Sequence, residues 1–426
     1  MILPNKASTF FMLLILSNIV NAEQNTVLTL QSALDIAVQD NPNLAQIQAR
    51  SEALAAIPSQ VGSLPDPIIS FNALNLPVDT FDTRQENMTQ LQGGISQAIP
   101  FFGKLALREQ AATYQAEAAT HDVTEARFRL LRDVKKTWWA LFYLDRALEI
   151  IIVNQNLLRQ FVQIAQTKYE VGEGLQQDVL LAQLELSKLL DTEIRLTGAI
   201  DRGKAQLNAL LNQAANHPFK IPEKIQEELP TLQTESLLFE QAENYRALLA
   251  SRRESVHAAQ SRLDLAKKDF YPDFKVGAFY GGRDNTLAGR ERADFLSLKL
   301  SMNVPIFAAT KQKKAVDQRS SELMQQRYVL QDQWNNVRAE ISIAYSDFHQ
   351  TKNQVVLFKS GIIPQARQTV ASMLSGYQVD KVDFLNLVRS QITLYNYETQ
   401  YWKALTEANQ ALAQLTAVVG KEEIYE

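Results

Sequence analysis

Tyr169-Glu170-Val171 opens a stretch that runs through Asp178 to Gln183-Leu184-Glu185-Leu186, and Tyr377-Gln378-Val379 opens another that runs through Asn386 to Gln391-Ile392-Thr393-Leu394. Without a gap, the Tyr, Val, Gln and Leu positions coincide at a spacing of 208 residues, and Asp178 falls on Asn386. Working outward, Leu64-Pro65-Asp66-Pro67 meets Tyr271-Pro272-Asp273-Phe274 at a spacing of 207, and Ile99-Pro100-Phe101-Phe102 meets Val304-Pro305-Ile306-Phe307 at 205. Three matches at nearly one spacing predict a duplicated unit of about half the chain, far longer than a solenoid repeat. The first copy is expected over 23–212, a linker or equatorial segment over 213–235, and the second copy over 236–426. Each copy reads helix, β-hairpin, very long helix, turn, helix.

The long helices are read from what is missing. From 104 to about 169 there is no Pro and no Gly, and Ala, Leu, Gln, Glu and Arg dominate, which predicts a rod of roughly 100 Å at 1.5 Å per residue. The stretch from 312 to about 375 repeats it, with Gly361 and Pro364 placed to bend or break it. Shorter helices fit about 30–60, 175–212, 235–268 and 383–419. In the last, Leu385, Val388, Ile392, Tyr395 and Trp402 form a helix-period stripe of coiled-coil type. A rod this long cannot bury itself in a globule and packs sideways on partner rods.

A different period lies between the helices. Leu296, Leu298, Leu300, Met302 and Val304 alternate with Ser297, Lys299, Ser301 and Asn303, which is strand periodicity with an apolar and a polar face. Strands are expected at about 66–76 and 89–99 in the first copy and at about 272–282 and 293–304 in the second. Their length suits a tilted membrane strand; a pair of soluble hairpins capping a helical bundle is the other reading. Four strands cannot close a barrel, and lipid does not tolerate an open sheet edge. Membrane strands therefore require several copies in one barrel, and three copies give twelve strands.

The chain has 426 residues, 21% charged, a net charge of −4 and no Cys. The mild acidity argues against a nucleic-acid binder, and the lack of Cys rules out disulfides and thiolate metal sites. Lys6, the apolar run over 10–16 and Val20-Asn21-Ala22 predict a signal peptide over 1–22. No later segment approaches 18 uninterrupted apolar residues. His121, His217, His257 and His349 stand singly, and Gly103-Lys104 lacks the remainder of a phosphate-binding loop. No convergent catalytic set emerges, so neither an enzyme nor a bound cofactor is expected.

With its duplicated unit, the two Tyr-x-Val turns, the Pro-Asp strand starts at Asp66 and Asp273 and the strand exits at Pro100 and Pro305, the chain resembles the TolC-like outer-membrane efflux proteins over about 30–420. The run Gln97-Ala98-Ile99-Pro100-Phe101-Phe102-Gly103-Lys104-Leu105 looks most like the heavy-metal-efflux branch, whose members often carry a Pro-Gly-Lys-Leu-like string there. The resemblance implies a mainly α fold with membrane β. In it, four strands per chain contribute to a trimeric 12-stranded outer-membrane β-barrel continued by a periplasmic α-helical barrel. It further implies a homotrimer that meets a periplasmic adaptor and an inner-membrane pump, of RND type for that branch. The duct would be passive, with metal cations the cargo of that branch. Drug efflux and one-step (type I) protein secretion use the same fold, and a pore-less periplasmic coiled-coil scaffold is the reading from a different class.

The resemblance also carries over a tip bond between Asp178 and Tyr377. The plain alternatives are a helix N-terminal carboxylate favoured by the dipole and an aromatic packed at a turn. Positions that often form acidic rings in the family hold Asn386 and Arg389, and the usual Gly after Val379 is Asp380. Asp380 and Asp383 stand either as a substitute acidic lining or as solvated turn residues. Val171, Gly172, Val379 and Lys381 are the expected adaptor-docking positions at the exposed hairpin tips.

Overall fold

Free of Pro and Gly, the stretch Lys104–Glu170 folds as one helix of 67 residues, α4, about 100 Å long. The structure is a computed structural model that describes residues 26–425; the expected signal peptide over 1–22 lies outside them. Before α4 come β1 (Thr26–Val27), α1 (Leu30–Gln39), α2 (Pro42–Ala55), α3 (Ile57–Gly62), β2 (Ile68–Leu74) and β3 (Gln90–Ile99). After it, α5 (Gln176–Leu210) runs back and β4 (Phe219–Lys220) follows. The second copy comprises α6 (Glu235–Tyr245), α7 (Ala247–Lys268), β5 (Phe274–Gly282), β6 (Phe295–Met302), α8 (Gln312–Leu357), α9 (Ile363–Gln378) and α10 (Phe384–Val419).

Three details differ from the sequence expectation. The helix expected over 30–60 is three helices: Asn41 accepts from the backbone N–H groups of Asn43 and Leu44, and Pro42 starts a new helix behind that cap. The helix over 235–268 is divided at Arg246, whose backbone is extended. Its guanidinium is buried on Glu125 at 2.8 Å, and it also donates to the Ala417 carbonyl. Two short strands were not anticipated: β1 pairs parallel with β4, and Phe219, Ile221 and Leu232 are buried, so the 213–234 segment is anchored across the waist of the bundle. The α pattern of the second rod is interrupted near the expected place, by a π turn at Phe358–Ile362 that contains Gly361.

α4 packs on α5, α7 and α10, and α8 packs on α7 and α10. The core is a chain of clusters along these rods. Trp138, Leu141 and Phe142 meet Ala33, Ala37 and Leu207 at the waist. Val337, Ile341 and Phe348 meet Leu249 and Leu415. Phe161, Val179, Leu387 and Tyr377 pack near the far end.

The four longer strands form one antiparallel sheet in the order β2-β3-β5-β6, with β3–β5 joining the two copies. The first hairpin's pair Ile68–Ser96 recurs as Lys275–Ser301, so the hairpins superpose at the spacings 207 and 205 read from the sequence. Register and alternation put Ile69, Phe71, Ile95, Val276, Leu296, Leu298 and Leu300 on one face, and Ser70, Asn72, Gln92, Ser96, Lys275, Ser297 and Lys299 on the other. The apolar face is bare: Phe71 is 84% and Leu298 81% exposed. A Cβ on Gly93 would touch the Phe71 ring at 3.6 Å, and one on Gly94 would overlap Phe279 at 2.1 Å. An aromatic ring therefore covers a glycine on each face. An apolar face with a polar reverse is the side-chain pattern of lipid-facing strands.

Candidate functional site

The two helix tips, at the end of the rods away from the sheet, are built alike. After α4, Gly172 takes a left-handed conformation (φ 78°) and the Glu173 N–H donates to the Lys168 carbonyl at 2.9 Å. After α9, Asp380 takes that conformation (φ 58°) and the Lys381 N–H donates to the Gly376 carbonyl at 2.9 Å. These are the same bonds 208 residues apart, a helix C-terminus closed by a left-handed residue. The place that Gly172 fills in the first copy is thus taken in the second by a residue that bears strain there, since only Gly adopts this region without steric cost.

Asp380 is held by Lys168. The Lys168 ammonium ion-pairs with the Asp380 carboxylate, donates to the Tyr377 carbonyl at 3.3 Å and lies 4.7 Å from the Tyr377 ring centroid. The hydrogen bond to Asp380 raises the Lys168 pKa above its ordinary value. Tyr377 is buried, its ring 5.2 Å from that of Phe384, which meets Phe161 in turn. Burial pushes the Tyr377 phenol up. One side chain from the first tip therefore grips backbone, ring and carboxylate of the second.

Asp178 sits in the first turn of α5, half-buried. Burial, and then the Asp383 charge, push its carboxyl above the ordinary value. Among the described residues no hydrogen bond joins Asp178 to Tyr377, although the Asp178 charge bears on the phenol. Asp383 precedes α10 at its N-cap position without a side-chain cap bond. Asn386 and Arg389 lie exposed on the first turns of α10, and Val171, Gly172, Val379 and Lys381 are exposed at the two turns. The tips thus bring Lys168, Asp178 and Asp380 together around Tyr377, with Asp383 acting on Asp178; sequence reasoning had not singled out Lys168. A cation four residues before Gly172 was the available signal, but its partner lies in the other copy.

A second polar centre, also missed, joins sheet to helices. Lys104, at the start of α4, is buried; its ammonium lies 2.9 Å from Asp273 and 3.2 Å from Asp269, and donates to the Tyr271 carbonyl at 3.1 Å. Asp273 also accepts from the Phe101 N–H at 2.8 Å, and the Phe101 and Tyr271 rings stack at 4.5 Å. The Pro-Phe-Phe-Gly-Lys exit of the first hairpin is thereby locked to the Tyr-Pro-Asp start of the second.

Comparison with known proteins agrees with this architecture. The outer membrane efflux protein family profile matches residues 33–213 and 238–421. The chain is 21% identical over 394 residues to the cobalt-zinc-cadmium resistance protein CzcC of Cupriavidus metallidurans, covering 92% of this chain and 90% of that one. Its fold is similar to the outer-membrane channel OprN (TM-score 0.78, 17% identity, 92% of this chain and 89% of that one). It is equally similar to the outer membrane protein VceC of Vibrio cholerae (TM-score 0.78, 17% identity, 92% and 97%). The chain therefore belongs to the outer membrane efflux protein family and is an outer-membrane efflux channel with a periplasmic helical extension, a transport duct.

Proposed function

We propose that this chain assembles as a homotrimeric exit duct for metal cations, its two copies (23–212 and 236–426) joined by an equatorial segment over 213–235. The observation that carries the assembly is the pair of unpaired strand edges, β2 and β6, on a sheet whose apolar face is bare. Lipid does not tolerate such edges, and three copies give the twelve strands of a closed barrel. The internal repeat supplies the register. The pair Ser96–Gly277, where β3 meets β5, transfers at the spacings 205 and 207 to Ser301 and Ser70. Ser70 of one protomer thus faces Ser301 of the partner subunit, and the same register keeps Phe71 and Leu300 together on the apolar face.

At the far end we infer a gate formed by Asp178, Tyr377, Asp380, Asp383, Asn386 and Arg389, with the Asp178–Tyr377 bond made when the tips draw together. The exposed Val171, Gly172, Val379 and Lys381 are where a periplasmic adaptor would dock, coupling the duct to an RND-type inner-membrane pump. Support for a metal cargo comes from the similarity to a cobalt-zinc-cadmium resistance protein.

The chain has no Cys, so Ser70→Cys with Ser301→Cys tests the assembly on a clean background. Mild oxidation is expected to give a covalent trimer on a denaturing gel, whereas Ser70→Cys with Lys299→Cys, one pleat out of register, cross-links poorly. Monomers alone from the first pair would overturn the shared barrel. The cargo is tested by cobalt, zinc and cadmium tolerance of a deletion strain; unchanged tolerance to all three would remove metals from the reading.

A further inference from the structure

Strands β2, β3, β5 and β6 carry only two charged side chains, Lys275 and Lys299. Both lie on the polar face. Lys275 is paired with Ser301 and Lys299 with Gly277, which makes the two lysines diagonal neighbours, about 7–8 Å apart at the backbone. Like charges so placed repel. Among the described residues neither has an ion pair, and their strand partners bear no carboxylate.

The surrounding carboxylates do not cancel them. Asp273, below Lys275, lies 2.9 Å from Lys104, which it shares with Asp269, and the Arg108 charge bears on it as well. Asp294, beyond the upper end of β6, lies on the opposite face and accepts from the Tyr280 hydroxyl and the Arg283 N–H. The loop acids Asp79, Asp82, Glu86, Asp284 and Glu291 lie above the strand ends, and Asp294, nearer than these, is already five residues from Lys299, about 17 Å along the strand. That exceeds a Debye length of about 8 Å at physiological salt. Asp66 shares the face of Lys275 but stands two strands away at the lower rim, about 10 Å off. A positive belt therefore remains across the second hairpin.

We propose that Lys275 and Lys299 are specificity-determining residues of the duct, forming a collar inside the barrel that concentrates anions and slows free cations. This rests on the trimeric reading above, which repeats the pair three times around one lumen. A twelve-stranded wall has a radius of about 12 Å, so side chains reaching inward bring the charges to within about a Debye length of the axis at physiological salt. A cation cargo then passes more readily as an anionic or neutral complex, or with its counter-ions, than as the bare ion.

The test uses Ser297→Cys, a reporter two residues from Lys299 on the same face, in the detergent-solubilised assembly of the otherwise Cys-free chain. Its modification by an anionic and a cationic methanethiosulfonate is compared, each rate normalised to free cysteine. In 10 mM salt the anionic reagent is expected to be favoured roughly 10-fold. The preference should collapse in 1 M salt, where the Debye length is about 3 Å, and fall towards unity in K275Q/K299Q. Equal rates in low salt, or a preference unchanged by salt and by the lysine substitutions, would overturn the collar while leaving the duct intact. A Ser297→Cys that reacts with neither reagent would overturn both, because the polar face would not be a water-filled lumen.

Discussion

Lys168 and Asp380 stand 212 positions apart in sequence and form an ion pair that bridges the two helix tips of a single chain. The pair sits where the second tip departs from the first: Asp380 occupies the left-handed position that Gly172 fills without strain. An exposed ion pair contributes about 0.2–1 kcal/mol, comparable to the penalty a non-Gly residue bears in that conformation. The substitution of Gly by Asp thus exchanges backbone ease for a link between the two copies.

Gating and stability should separate at this site. K168M is expected to raise the single-channel open probability by up to about fivefold per protomer, the factor corresponding to roughly 1 kcal/mol, whereas K188M, in a surface pair on α5, leaves it unchanged. D380G should also raise open probability while leaving the thermal midpoint nearly constant, because relief of strain offsets the lost pair. An open probability unaltered in both tip variants would show that the pair does not restrain the tips.

The Asp178 carboxyl gives the tips a pH dependence with a defined sign. Its pKa is raised by burial and by Asp383, so the fold favours the protonated form. That stabilisation is fully present below the ordinary value of 3.8 and is lost as pH rises through the raised value. D178N should therefore increase hydrogen-exchange protection of the tip amides around 171–178 at pH 7 and make no difference near pH 3. A benefit that is the same at both pH values would place its origin outside this titration.

Much of the fold was legible because local chemistry decides it. The absence of Pro and Gly over 104–170 leaves a long helix as the low-cost conformation, and the alternation of Leu296 to Met302 is strong enough to fix a strand by itself. β3 was less legible, since Gly93 and Gly94 lack side chains and are completed by Phe71 and Phe279 from its neighbours. The break at Arg246 was hidden for a related reason: nothing in its neighbourhood of sequence announces the buried partner Glu125, 121 residues earlier. The tip turns could be found from the Tyr-x-Val repeats, but not their latch. Lys168 acts only through Asp380 and Tyr377, and pairing between copies leaves no local pattern.

The bare apolar face makes a directional prediction for membrane assembly. Leu298 is 81% exposed opposite Ala278, and L298R should impair recovery of assembled protein from the outer membrane, at a cost of about 2–4 kcal/mol near the bilayer midplane. S297R, one residue away on the polar face, should assemble normally. Equal assembly of the two variants would contradict the assignment of faces.

The Lys104 joint should matter more than its single charge suggests, because three groups of the second copy converge on it. Lys104 is only 2% exposed, but Asp269 and Asp273 retain 47% and 39% side-chain exposure, so water can partly re-solvate them once the ammonium is gone. The cost of K104M is then expected below the ~3–5 kcal/mol of a fully buried broken pair, at about 1–3 kcal/mol with the freed Tyr271 carbonyl included. D273N should cost less, since its amide oxygen can still accept from the Phe101 N–H, and Asp269 still holds the ammonium. The order is checked by the temperature at which the detergent-purified assembly loses its resistance to denaturing gels, falling from wild type through D273N to K104M. A K104M assembly as heat-resistant as wild type would mean that the Phe101–Tyr271 stack and the β3–β5 pairing hold the two hairpins together without the ammonium.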